Sequence, residues 1–261
     1  GENVGPTGLP GDSDDWEVVS IASEVDSARL MRSNLLDELP AAVRLLGREY
    51  RGLAWKNVFK LLSLQEYVRS LPPERIVLAL DLYDVVWLGC RRGLRGVVRT
   101  FRASGRPIVL GAETVPYPLS NESLRRLPGG YPFLPGLGPR HRVLRRTLWH
   151  GHAPQRPHRS AYRYPNSGCI IGYAWALQRA TARMVERGFD NEYVLRTPLA
   201  TSDLERRQML VGEDDQIAWH TYAIRHPDEV ALDYAAELFL NIHGFVLADF
   251  HLTARGEVNA A

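Results

Sequence analysis

Asp81 and Asp84 follow directly on the apolar run Ile76-Val77-Leu78-Ala79-Leu80, with Tyr83 between them. An unbroken run of this length, β-branched at its start and preceded by Pro72-Pro73, reads as a strand buried on both faces, the kind found at the centre of a parallel sheet. Carboxylates at the carboxyl end of such a strand stand where open α/β sheets bind their ligands. They require a cation there, because an unpaired buried charge is costly. A hard divalent ion meets that need: Mg²⁺ or Mn²⁺ takes oxygens from one or two carboxylates and completes its shell with phosphate oxygens of a substrate.

The surrounding elements must deliver this pair to a cleft. Trp16 to Ala22 reads as a first strand, and Ser23-Glu24-Val25-Asp26-Ser27 as the cap of a helix running to about Glu38. A second short strand spans Ala41 to Leu46. Apolar positions at Val58, Phe59, Leu61, Leu62 and Val68 predict a helix from Lys56 to Ser70 that stops at Pro72-Pro73. After the Asp81 strand come a helix near Leu94 to Ala103 and a strand Pro107 to Leu110 ending at Gly111-Ala112-Glu113. Tyr164 to Gly172 reads as another turn feeding a buried strand, followed by a helix from Ala174 to Arg187. The acidic cluster Glu213-Asp214-Asp215 opens a helix from Gln216 to Ile224, where first-turn carboxylates also complement the helix dipole. This alternation predicts an α/β fold with a parallel, doubly wound sheet.

With 261 residues, 45% of them hydrophobic, the chain suits one large α/β domain. The Gly-, Pro-, Ser- and Asp-rich residues 1–15 read as a disordered leader, and 16–261 as the domain. A net charge of only +2 argues against a general nucleic-acid binder. No apolar stretch reaches the length of a membrane span, and the amino terminus lacks a signal-peptide pattern. Cys90 and Cys169 are too few for a disulfide framework. From Ser123 to Val185 there are eleven arginines and no Asp or Glu. Broken by Pro and Gly, residues 124–163 read as a long basic loop, either a solvated excursion or a grip on an anionic substrate or acceptor.

Several enzyme classes fail at named residues. The haloacid-dehalogenase phosphatases need a second Asp where Tyr83 stands. A Rossmann dehydrogenase needs a glycine-rich turn in place of Ser23-Glu24-Val25-Asp26-Ser27. A Ser hydrolase needs a Gly-x-Ser-x-Gly elbow, which is absent.

Taken in order, Val18-Val19-Ser20-Ile21-Ala22-Ser23, Leu46-Gly47 with Tyr50-Arg51-Gly52, Lys56, Asp81-Leu82-Tyr83-Asp84-Val85, Ala112-Glu113, Asn166-Ser167-Gly168, Asp214-Asp215-Gln216, and Leu232-Asp233 with Phe239 to Gly244 form a linked series. The series resembles the glycosyltransferase domain of the procollagen lysyl hydroxylases and related collagen glycosyltransferases, over nearly all the chain from Trp16. The resemblance implies a GT-A fold, a Rossmann-like and mostly parallel sheet flanked by helices. It also implies a hexosyltransferase that uses Mn²⁺ and a UDP-sugar donor, UDP-glucose or UDP-galactose.

By that resemblance Asp81 and Asp84 are metal ligands, and Tyr83 stacks on the uracil, whose edge bonds Ser23. Lys56 approaches the diphosphate, Asp214 and Asp215 flank the sugar and acceptor, Asn166 holds sugar hydroxyls, and Glu113 supports the pocket. Tyr117 stands where the family carries a pocket Trp. The family's third ligand is a histidine in a His-Gly-Asn-Gly segment, expected beyond Ala261; His243 is its substitute within this chain. A retaining transfer to a hydroxylated protein side chain or an attached sugar is implied, within the lumen of the secretory pathway or outside the cell. The rival expectation is a nucleotide-sugar-binding or scaffolding module of the same fold with weak catalysis.

Overall fold

The computed structural model describes residues 15–22, 36, 39, 41–52, 57–83, 85–87, 93–114, 162–186 and 215–241, with two further short strands at Phe250–Leu252 and Val258–Ala260. Six strands form one mixed sheet: β1 (Trp16–Ile21), β2 (Val43–Leu46), β3 (Ile76–Leu80), β4 (Ile108–Glu113), β5 (Tyr164–Tyr173) and β6 (Val230–Leu232). Their spatial order is β2-β1-β3-β5-β4-β6. Four α-helices are described: α1 (Val58–Arg69), α2 (Gly93–Ala103), α3 (Ala174–Glu186) and α4 (Asp215–Arg225). The fold is α/β, with helices on both faces of the sheet.

The sheet is mostly parallel, and its one exception is β5, which runs antiparallel to both β3 and β4. The reason lies in the connection. The chain leaves β4 at Glu113 and returns at Tyr164, directly opposite, with Arg163 N–H donating to the Glu113 carbonyl at 3.1 Å. Strands that leave and re-enter at the same end of a sheet must be antiparallel, however long the connection; a parallel pair would need a crossover. The remaining five strands share one direction.

One correction concerns the start of Tyr164 to Gly172, read from sequence as a turn feeding a buried strand. These residues are already strand, and a bulge lies among them. Leu110 pairs with Ile170 whereas Gly111 pairs with Asn166, so Ser167, Gly168 and Cys169 have no counterpart on β4. Gly111 makes room for the bulge, since a Cβ there would lie 3.3 Å from the Cys169 carbonyl oxygen. Bulges re-aim side chains and are common beside functional sites.

Period-two alternation divides the core. Val19, Val77, Ala79, Leu110 and Ile170 face α1, α3 and α4, and Val18, Ile76, Leu78, Val109 and Ile171 face α2. Helix α2 buries Leu94, Val97, Val98 and Phe101, spaced i, i+3, i+4, i+7, and leaves Arg95 and Arg99 exposed. Helix α1 buries Leu61, Leu64 and Val68, then ends at Ser70, whose N–H donates to the Tyr67 carbonyl. Each fully buried large side chain of this kind contributes about 1.5–3 kcal/mol.

The sequence placed β3 without error and β1, β2, β4 and the four α-helices within one to three residues, while β6 and the two short strands after it were not anticipated. Residue 15, assigned to the leader, is tied to the sheet: the Asp15 carbonyl accepts the Ile76 N–H at 2.9 Å. Residues 1–14, most of the predicted helix to Glu38, and all of the basic loop except Tyr162 and Arg163 lie outside the described residues. No helix among the described residues is long and apolar enough to cross a membrane.

Beyond β6, the buried Asp233 organises the chain. Its carboxylate accepts backbone N–H bonds from Glu237 at 2.9 Å, Leu238 at 2.8 Å and Phe239 at 2.7 Å. Burial pushes this carboxyl up to about 6, outweighing the three N–H donors that favour its charged form. The folded state therefore holds the proton more tightly than the unfolded chain does. The resulting stabilisation is full below pH 4 and is lost as pH rises through 6. Asp233→Asn cannot titrate. The stability advantage of wild type over the variant, measured by urea unfolding, should be about 2 kcal/mol larger at pH ~4.5 than at pH ~7.5. An advantage that does not change with pH would show that Asp233 keeps one protonation state.

Candidate functional site

Alternation along β3 fixes the direction of Asp81. Val77 and Ala79 face the three-helix layer, and Asp81, the next residue of that parity, continues onto the same side at the carboxyl end of the strand. Its backbone N–H donates to the Gly168 carbonyl at 2.8 Å, extending the β3–β5 ladder by one step. The bulge brings Gly168 close: a Cβ at this position would stand 3.1 Å from both Asp81 Oδ2 and Asn166 Oδ1. A methyl group there would press on a carboxylate and an amide together, and both would have to give by a few tenths of an ångström.

Lys60 reaches Asp81 from α1, its Nζ lying 2.7 Å from Oδ1 and 2.9 Å from Oδ2. The same ammonium is 3.7 Å from Asp215 Oδ2, in the first turn of α4. Side-chain exposures of 17% for Lys60, 24% for Asp81 and 4% for Asp215 place the group at the mouth of a cleft and screen it poorly from its partners. The cleft is small, with a cavity volume of about 20 Å³, room for a water or an ion. Its wall is apolar, built from Ile21, Leu61, Leu64, Ala79, Ile170 and Trp219, with Lys60, Asp81, Ser167 and Asp215 as its polar end. Trp219 follows Asp215 by one helical turn, so one face of α4 supplies both a carboxylate and the floor.

Gln216, next to Asp215, links this group to a second one. Its Nε2 donates to Glu113 Oε1 at 2.5 Å, and its Oε1 accepts from Ser167 N–H at 3.4 Å and Oγ at 3.5 Å. Glu113, only 5% exposed at the end of β4, also accepts from Asn166 Nδ2 at 3.4 Å. The Asn166 Oδ1 accepts the Gly168 N–H at 3.0 Å, which fixes the amide orientation. A buried carboxylate held by two side-chain amides is oriented before a ligand arrives, and such groups suit recognition of hydroxyls.

Of the residues singled out from sequence, Asp81, Asp215, Glu113 and Asn166 are thus gathered at one end of the sheet. Tyr83 is half-buried in the turn after β3. Ser23, Lys56, Asp84, Tyr117, Asp214 and His243 lie outside the described residues. Among the described residues no three His, Cys, Asp or Glu side chains converge as a metal cluster; Asp81 and Asp215 converge on Lys60.

Sequence reasoning gave no role to Lys60 or Trp219, and quoted Gln216 only as part of the Asp214-Asp215-Gln216 segment. A signal for the first was present: Lys56 and Lys60 are the only two lysines, against thirty arginines. A chain that otherwise uses Arg throughout and places Lys twice, four residues apart, marks a position where a compact, flexible point charge is needed. Trp219 carries no such mark, and Gln216 none beyond that segment, because amides and aromatics on a buried helix are ordinary packing residues. Compared with models of known protein families and with curated proteins, the chain matches none.

Proposed function

We propose that this protein is a metal-dependent glycosyltransferase of GT-A type that transfers a hexose from a UDP-sugar to a hydroxylated protein side chain or an attached sugar. The observation that carries the reading is the convergence of Asp81, from the end of a central strand, and Asp215, from the start of α4, on one cation position in a cleft. The neighbouring Glu113, Asn166 and Gln216 network supports it, since a hexose needs donors and acceptors set at fixed distances. The mixed sheet with β5 reversed beside the central strand is compatible with the Rossmann-like core that such enzymes use.

The donor set suits a hard divalent ion, because the converging groups are carboxylate oxygens and the point on which they converge already holds a cation. Asp81 would hold the ion, with Asp84 as the second carboxylate that the sequence supplies. Bound there, Mn²⁺ would offset charge on the departing diphosphate. The chain's own residues do the rest. Asn166 and Glu113 orient sugar hydroxyls, Asp215 sets negative charge beside the electron-poor anomeric carbon, and the apolar wall limits the access of water.

The test is calorimetric titration of UDP into the protein with Mn²⁺ and again with a chelator, followed by assay of UDP-glucose and UDP-galactose for release of free sugar. Metal-dependent UDP binding together with donor hydrolysis is the expected outcome. Binding without turnover would make the protein a nucleotide-sugar-binding module, and no binding in either condition would remove the reading.

A further inference from the structure

We infer that Lys60 is a built-in counter-ion that occupies Asp81 while no divalent cation is bound and must release it when one arrives, so that this lysine sets the metal affinity of the site. The inference rests on the reading of Asp81 as a metal ligand, and adds a residue that the reading does not contain. Three observations carry it. Both oxygens of Asp81 are within 2.9 Å of a single ammonium, so the lone pairs a metal would take are engaged by Lys60. The ammonium has a second carboxylate at hand, Asp215 at 3.7 Å, so that leaving Asp81 does not strand it as an unpaired charge. The residue is one of two lysines in a chain of thirty arginines, and the flexible stem of lysine permits a swing that the rigid fork of arginine does not favour.

The charges explain why such a device is useful. Asp81 and Asp215 alone would face each other in a poorly solvated cleft, and their repulsion would oppose folding. With Lys60 between them, the formal charge of the group is −1, which tolerates burial yet still attracts a divalent cation. Binding of the ion then exchanges one cation for another and leaves the ammonium beside the place where a diphosphate would lie.

Two measurements test the inference on the intact chain. Mn²⁺ alone is titrated by electron paramagnetic resonance of the free ion, at fixed pH, into wild type, Lys60→Met, Lys60→Gln and Lys60→Arg. The neutral variants should bind Mn²⁺ at least ~10-fold more tightly than wild type, because a competing charge has gone, and Lys60→Arg should stay near wild type. Unchanged or weaker binding in both neutral variants would overturn the role of Lys60. The second measurement is read on wild type and needs only the charge-conserving Lys60→Arg for assignment. In lysine-labelled wild type only two sets of side-chain NMR signals are expected, and the set missing from Lys60→Arg belongs to Lys60. Mg²⁺, as a diamagnetic ion, should shift the Lys60 ε-CH₂ signal in step with its binding; a signal that stays fixed at saturating Mg²⁺ would overturn the inference. Asp81→Asn separates the two levels of argument. If it abolishes Mn²⁺ binding while the Lys60 variants behave as wild type, the metal site stands and the counter-ion role falls. If Mn²⁺ binding survives in Asp81→Asn, or wild type and both neutral variants bind no Mn²⁺, the site reading and the inference fall together.

Discussion

Asp81→Asn is expected to lower donor turnover by roughly a thousandfold, about 4 kcal/mol of transition-state stabilisation, while leaving the protein folded. The substitution preserves shape and the strand-end N–H bond to Gly168, so the β3–β5 ladder and the bulge persist. What it removes is the charged oxygen pair at the end of β3, which under the proposed function would hold a divalent ion against the diphosphate. An amide oxygen is a far weaker ligand than a carboxylate for a hard cation. Lys60 remains near Asp215, so no unpaired ammonium is left buried and the stability loss should stay near ~1 kcal/mol. The check is steady-state hydrolysis of UDP-glucose and UDP-galactose with Mn²⁺, alongside circular dichroism on the same sample. Activity within tenfold of wild type would refute the assignment of Asp81.

Trp219→Ala is expected to destabilise the fold by about 3–5 kcal/mol, since Trp219 is 1% exposed and is one of the largest fully buried side chains described. It packs edge-on to Tyr222 at 6.2 Å and lines the cleft beneath Lys60 and Asp215. Truncation leaves a cavity between α4 and the sheet that the surrounding helices fill only in part. For a domain of this size the corresponding fall in Tm is of order 10 °C, readable by scanning calorimetry. Trp219→Phe, which keeps a ring, should recover more than half of that loss. A fall of under ~2 °C for the alanine variant would mean that the helix repacks freely and that the cleft floor is not fixed by this residue.

These two effects belong to different stages of legibility. Asp81 was readable because an apolar run of this kind can satisfy its backbone in only a few ways, and a carboxylate that follows it at once has to sit at a strand end. Trp219 was not, because a tryptophan in an amphipathic segment looks the same whether it faces a core, a cleft or solvent. Helices α1 and α2 and strand β3 followed from local signals: apolar spacing, the Pro72-Pro73 stop and unbroken hydrophobicity. The direction of β5 did not. Residues 114–163 separate it from β4, and nothing in their composition says that the chain comes back at the end it left.

By itself, then, the sequence determined the alternation of strands and helices, the two faces of the core and the presence of a carboxylate at the end of β3, since each depends on residues near one another in the chain. Only the tertiary structure decided that β5 inserts antiparallel, that its bulge brings Gly168 against Asp81, and that Lys60 bridges Asp81 to Asp215. The physical reason is that pairing across a sheet and ion pairing across a cleft depend on distances in space. Lys60 and Asp215 are separated by more than half the chain's length, yet the packing of α1 and α4 on one sheet face brings their charges within 3.7 Å.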